Sequence, residues 1–201
     1  MTTASTTLRT VIGLDNQLPR LADATVILID FQNTYREGVM ALPEAEPAIA
    51  AGARLLAAAR ALSRPVIHVI NDGGPDTPYD IRAEIGSISA ELAPVDDEPT
   101  VIKEFPDAFH DTDLHAILQR LGAGPDLVLA GFMTHMCVTF TAQGAFNLGY
   151  RPTILAEATA TRALEAPDGT VLTPAALQAA SLTTISDLFG LVAPALDDLL
   201  H

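Results

Sequence analysis

Three side chains with complementary chemistry stand at the ends of apolar runs. Asp30 follows TVILI at residues 25–29, Lys103 closes TVIK at 100–103, and Cys137 comes shortly after the DLVLAG run that ends at Gly131. A thiol, a carboxylate and an ammonium are the parts of a nucleophile, its proton acceptor and a charge that steadies both. Cys137 is the single cysteine of the chain. It has no internal disulfide partner, which leaves an inert core thiol, an intermolecular link or a reactive group. Lys103 is the single lysine among eleven basic residues, the rest being arginine. Lysine, unlike arginine, can lose its proton when desolvated, which suits a proton shuttle. Each residue also has an ordinary explanation: a turn-forming aspartate, a solvated lysine, a cysteine packed between helix and sheet.

The context of Cys137 points to reactivity. Within GFMTHMCVTFTA (131–142) a strand-ending glycine leads through a turn into a helical stretch, so the thiol lies near a helix N-terminus. There the macrodipole and free amides favour a thiolate and can bind an oxyanion.

The elements that must position these groups read as short buried strands at 25–29, 65–70, 100–103, 126–130 and 152–156. Helix-periodic stretches separate them at roughly 46–62, 113–121, 134–148 and 174–188. Alternating strand and helix implies right-handed crossovers and a mostly parallel, doubly wound sheet in a three-layer α/β/α arrangement. Ligands of such sheets gather at the carboxyl ends of the strands. Asp30, Lys103 and Cys137 therefore share one rim. A single domain is expected over 22–201, preceded by an extension at 1–24 with a short edge strand near residues 10–14. The acidic connection 71–99 is expected to hold a helix around 80–92 and to act as a lid or pocket wall.

Composition narrows the class. With 201 residues, 49% hydrophobic and 18% charged, the chain suits one globular core rather than a disordered segment. A net charge of −14, with no basic cluster, repels phosphate backbones and anionic lipid, so neither nucleic acid nor membrane is an expected partner. The apolar runs are too short to span a bilayer and no leader pattern opens the chain. A cytoplasmic protein is expected.

Taken together, the motifs resemble those of the isochorismatase-like cysteine hydrolases, which include nicotinamidases, N-carbamoylsarcosine amidases and ureide or biuret-type hydrolases. The resemblance runs over residues 22–192: LIDFQN at 28–33, KEFPDAF at 103–109, GFMTHMCV at 131–138, and Gly149-Tyr150 before the last of the five runs. It implies a catalytic triad in which Cys137 attacks a carbonyl carbon, Asp30 carries its proton to the leaving amine, and Lys103 orients and stabilises the pair. It further implies an oxyanion hole from the backbone amides of Met133 and Cys137, a cis peptide between Phe132 and Met133, and a homo-oligomer, dimer or tetramer. Phe31, Tyr35, Phe105, Phe109, Thr134 and His135 are candidate substrate contacts from their closeness in sequence to the triad, and Asn71 is a further candidate from the long connection that follows the second strand.

Two departures from the family pattern matter. Metal-containing nicotinamidases carry an Asp-x-His ligand motif after the second strand, whereas this chain has HVIND at 68–72, so no metal or other cofactor is expected and His68 reads as a satisfied core residue. Asp107 stands where a serine is usual. The implied activity is metal-independent hydrolysis of a C–N bond in a small amide or ureide. The alternatives are an isochorismatase-type vinyl ether hydrolase, with Arg36, Arg82, Arg151 or Arg162 as carboxylate clamps, and a silent binding module on the same fold.

Overall fold

The computed structural model describes residues 3–95 and 97–201. A short helix α1 (Leu8–Val11) precedes β1 (Thr25–Ile29), α2 (Ala45–Ala61), β2 (Val66–Asn71), β3 (Thr100–Lys103), α3 (Leu114–Arg120) and β4 (Asp126–Phe132). A π-helical turn at Thr134–Val138 then enters α4 (Thr139–Asn147). After it come β5 (Arg151–Ala160), the hairpin β6 (Leu164–Glu165) and β7 (Val171–Leu172), α5 (Pro174–Thr184) and β8 (Leu191–Ala193).

Six strands form one parallel sheet in the order β3-β2-β1-β4-β5-β8. The chain builds outward from β1 to β3, then returns to place β4 on the other side of β1. That reversal is the topological switch point, where α/β sheets open a crevice at their carboxyl ends.

The strands are legible as unbroken apolar runs because both sheet faces are covered. In β1, Val26 and Leu28 join the core under α2, while Ile27 and Ile29 join the core under α3 and α4. In β4, Val128, Ala130 and Phe132 take the first side and Leu127 and Leu129 the second. These are the period-two consequences of the pleat. At the switch point the two strands close tightly: a Cβ on Gly131 (φ +133°) would lie 1.8 Å from the Ile29 carbonyl oxygen. No residue with a side chain fits there.

Two expectations fail. Residues 8–11 are helical rather than an edge strand; Thr7 caps them by accepting from the Thr10 amide. Buried Arg9 ties the segment down by donating to Asp15 O, Leu188 O and Asn16 Oδ1. The stretch 80–92 carries only two 3-10 turns, Glu84–Gly86 and Ala90–Leu92. Its isoleucines recur at helical spacing, but the backbone is claimed elsewhere. Gln32 bridges to Ile88, the Asn33 amide donates to Ser87 O, and Gly86 packs so closely on Asp80 that a Cβ would meet its carbonyl at 2.2 Å. Among the described residues, no helix is long and apolar enough to cross a membrane.

Candidate active site

Asp30 follows β1 in the left-handed region (φ +52°), with its amide still bonded to Val69 O at 2.9 Å. This turn breaks the strand's alternation and holds the carboxylate at the rim. Lys103 ends β3 directly opposite Asn71 of β2. Cys137 lies inside the π-helical turn that follows β4. Three separate strand ends thus deliver three groups to one point.

The distances bring the three groups into one cluster. Lys103 Nζ lies 2.8 Å from Asp30 Oδ2, 3.3 Å from Cys137 Sγ and 3.1 Å from Asn71 Oδ1. The side chains of Asp30 and Lys103 have no solvent exposure, and Cys137 is 7% exposed. Lys103 and Asp30 are joined as an ion pair, and the Asp30 oxygens have no other side-chain or backbone partner. That leaves the carboxylate within reach of the thiol as a proton acceptor.

Burial governs the electrostatics. It raises the Asp30 carboxyl above the usual carboxylate range, and the opposing pull of Lys103 does not cancel it. Lys103 is pushed up: burial works against its charge, but Asp30 and Cys137 outweigh that. The Cys137 thiol is pushed up to about 12, first by burial and then by the Asp30 charge, with Lys103 opposing. The expectation of a resting thiolate is therefore corrected. The reason is local: the sulfur sits beside a carboxylate in a nearly dry site, where burial and the Asp30 charge outweigh the pull of Lys103.

The peptide between Phe132 and Met133 is cis. The Met133 carbonyl accepts from the amides of Met136 (3.0 Å) and Val138 (3.3 Å) and skips the Cys137 amide between them. The π-turn, which places one extra residue in the helical turn, produces this pattern.

The other candidates divide. Tyr35 is buried, edge-on to Tyr79 (5.9 Å) and Phe132 (5.2 Å), and feels the charges of Asp30 and Cys137. His135 bonds Thr161 through Nδ1 at 2.6 Å, and burial followed by nearby Arg162 lowers its pKa. Asn71 touches Lys103, as above. Thr134 is buried and donates to Ala160 O, a structural contact. Phe31 packs into the core against Phe132 and over Gly52 of α2, where a Cβ would meet its ring at 2.7 Å. Phe109 stacks on Tyr150, and Phe105 is half-exposed beside His110. Asp107 lies against Gly144 of α4 and accepts from the Phe109 amide. His68 pairs with Glu98 at 2.9 Å, toward the amino end of β3.

Two residues without an assigned role in the sequence prove to be part of the surroundings. Gln32 is fully buried and bonds both the N–H and the C=O of Asn71. Thr161 joins His135 to a cavity of about 400 Å³ at the carboxyl end of β5, whose walls include Thr159, Gln178 and Glu44. The signal for Gln32 was its position two residues past Asp30; its partner, far away in sequence, gave none.

Comparison with known proteins bears on this geometry. The family model described as the isochorismatase domain matches residues 24–189. A crystal structure of an isochorismatase from Pseudomonas putida KT2440 superposes with a TM-score of 0.91 at 37% identity, covering 95% of this chain and 97% of that one. A secreted isochorismatase effector of Verticillium dahliae is 29% identical, over 90% of this chain and 93% of its own length. A streptothricin hydrolase of Streptomyces noursei is 34% identical over 76% of this chain, which spans 55% of that protein.

Proposed function

Because this chain belongs to the isochorismatase family of hydrolases, we propose that it is a cysteine amidohydrolase that opens a C–N bond of a small amide or ureide. The observation that carries this reading is the buried Lys103 ammonium in contact with both Asp30 and Cys137. A carboxylate, an ammonium and a thiol in one dry site form a neutral cluster with a proton ready to move. As Sγ attacks the carbonyl carbon, the thiol proton passes to Asp30, so free thiolate never accumulates. The raised carboxyl of Asp30 suits that exchange, since it must take a proton and return it. The developing oxyanion is received by the Met133 and Cys137 amides. Asp30 then protonates the leaving nitrogen, the C–N bond breaks, and ammonia or an amine departs from a thioester. Water, deprotonated by Asp30, hydrolyses the thioester and restores the thiol.

The second-strand residues are engaged in other ways than metal binding: His68 with Glu98, Asn71 with Lys103, Asp72 with Arg82. This supports a metal-independent reaction. Arg162 bears on the substrate. It is half-buried, its Nε has no partner, and its Nη1 donates to Met40 Sδ at 3.6 Å. It is also close enough to perturb Tyr79 and His135. Such a guanidinium suits an anionic or strongly accepting group on the substrate.

A second reading is vinyl ether hydrolysis, favoured by the relatives named isochorismatase and by the same guanidinium. That reaction yields pyruvate without a thiol nucleophile. The metal-stripped protein and Cys137→Ala should be incubated with a panel of small amides, ureides and isochorismate, with ammonia and pyruvate followed separately. Ammonia release by the wild type alone is expected. Pyruvate formation that survives in Cys137→Ala would overturn the amidohydrolase reading.

A further inference from the structure

The ammonium of Lys103 has three N–H donors and three neighbouring acceptors. Two of these, Asp30 Oδ2 and Cys137 Sγ, belong to the reacting group. The third is Asn71 Oδ1 at 3.1 Å, the neutral member of the set. Its amide orientation follows from chemistry, because the NH₂ end would face a cation.

Asn71 is itself held more firmly than a strand end requires. It lies opposite Lys103 in the β2–β3 ladder. The Gln32 side chain donates to its carbonyl at 3.0 Å and accepts from its amide at 3.1 Å, an amide-to-amide pair. Gln32 Nε2 also donates to Gly86 O at 2.7 Å. The turn that carries Asp30 therefore carries the clamp for Asn71 too.

We propose that Asn71, fixed by Gln32, is a positioning residue that sets the orientation of the Lys103 ammonium while adding no charge to the cluster. The inference rests on the nucleophile reading of Cys137 above. The groups facing that sulfur are Asp30 from β1, Lys103 from β3, and the phenols of Tyr35 and Tyr79; Asp107 faces Lys103. With asparagine at position 71, the cluster holds one anion and one cation at rest and gains one negative charge when the thiol ionises. An aspartate would keep the shape and the hydrogen bond to Nζ, but add a second anion beside the ammonium. It would oppose loss of the thiol proton. The identity of residue 71 thus sets the acidity of the sulfur through the ammonium they share.

The test is the rate of Cys137 alkylation by iodoacetamide between pH 7 and 10, read by mass spectrometry, for wild type, Asn71→Asp, Asn71→Ala and Gln32→Leu, each with a thermal melt. For Asn71→Asp the pH profile is expected to move up by about one unit, roughly tenfold slower labelling at each pH, with an unchanged melt. Asn71→Ala and Gln32→Leu should blunt the profile by loosening the ammonium. Should Asn71→Asp not fold, the comparison of Asn71→Ala with wild type decides the matter by the same profile. Superimposable profiles for the wild type and the folded variants overturn the positioning role while leaving the nucleophile in place. Absence of labelling at Cys137 even in the wild type removes the nucleophile reading, and this inference with it.

Discussion

The proposed reaction asks Cys137 to give up a proton in a place where burial and a neighbouring carboxylate both resist it, and among the groups around it Lys103 is the one that opposes them. Burying Asp30 and Lys103 together costs several kcal/mol of desolvation per charge, so the pair is not there for stability. Removing one partner is worse still. Lys103→Met should strand the Asp30 carboxylate in a site with no solvent exposure, with a loss of about 3–5 kcal/mol in urea unfolding at neutral pH. The pH dependence follows from the same charges. Asp30 is raised by burial and works as a base only when ionised, so activity should fall as pH drops through its raised pKa. The acid limb of kcat/KM is therefore expected above the ordinary aspartate value of 3.8. An acid limb at or below that value would remove Asp30 from the base role.

Elements explain why some residues near the triad in sequence are remote from its chemistry. Phe31 follows Asp30 directly, yet the left-handed turn at Asp30 sends its ring into the α2 layer. Phe31→Ala should cost about 3–5 kcal/mol of stability and leave KM near the wild-type value, as measured by denaturation and steady-state kinetics. A large rise in KM with intact stability would make Phe31 a pocket wall instead. The strands were readable because covered parallel strands are continuous apolar runs, and α2 because its alanines and leucines keep helical period over seventeen residues. The 72–99 connection misled for a physical reason: its isoleucine spacing suits a helix, but Gln32, Asn33 and Arg36 bind it from outside. Arg36 pairs with both Glu46 and Glu91, pinning that segment to α2. β8, only three residues long, and the π-helical form of 134–138 carry no local signature at all.

The whole molecule brings Asp30 and Cys137 together by reversing strand order between β1 and β4; their shared rim was legible from their strand-end positions, the strand order that makes them neighbours was not. Nor was the Gln32–Asn71 pair, since a contact across 39 positions depends on register, which the apolar runs do not specify. At this scale a homo-oligomer is expected, and sedimentation should give a multiple of the chain mass. The acid limit of the fold is set elsewhere. Glu98 accepts from Arg60 at 2.7 Å and pairs with His68, joining α2, β2 and the approach to β3. Arg60 chiefly, with help from His68 and the Val95 amide, holds the Glu98 carboxyl down to about 2 from 4.5. A carboxyl depressed on folding contributes stability fully above its unfolded pKa and loses it as pH falls through the folded one. Wild-type stability should thus decline progressively from about pH 4.5 toward 2. Glu98→Gln, followed by urea unfolding across that range, should be less stable at pH 7 and show a shallower decline. Parallel curves for the two proteins would mean that other carboxylates set the acid limit.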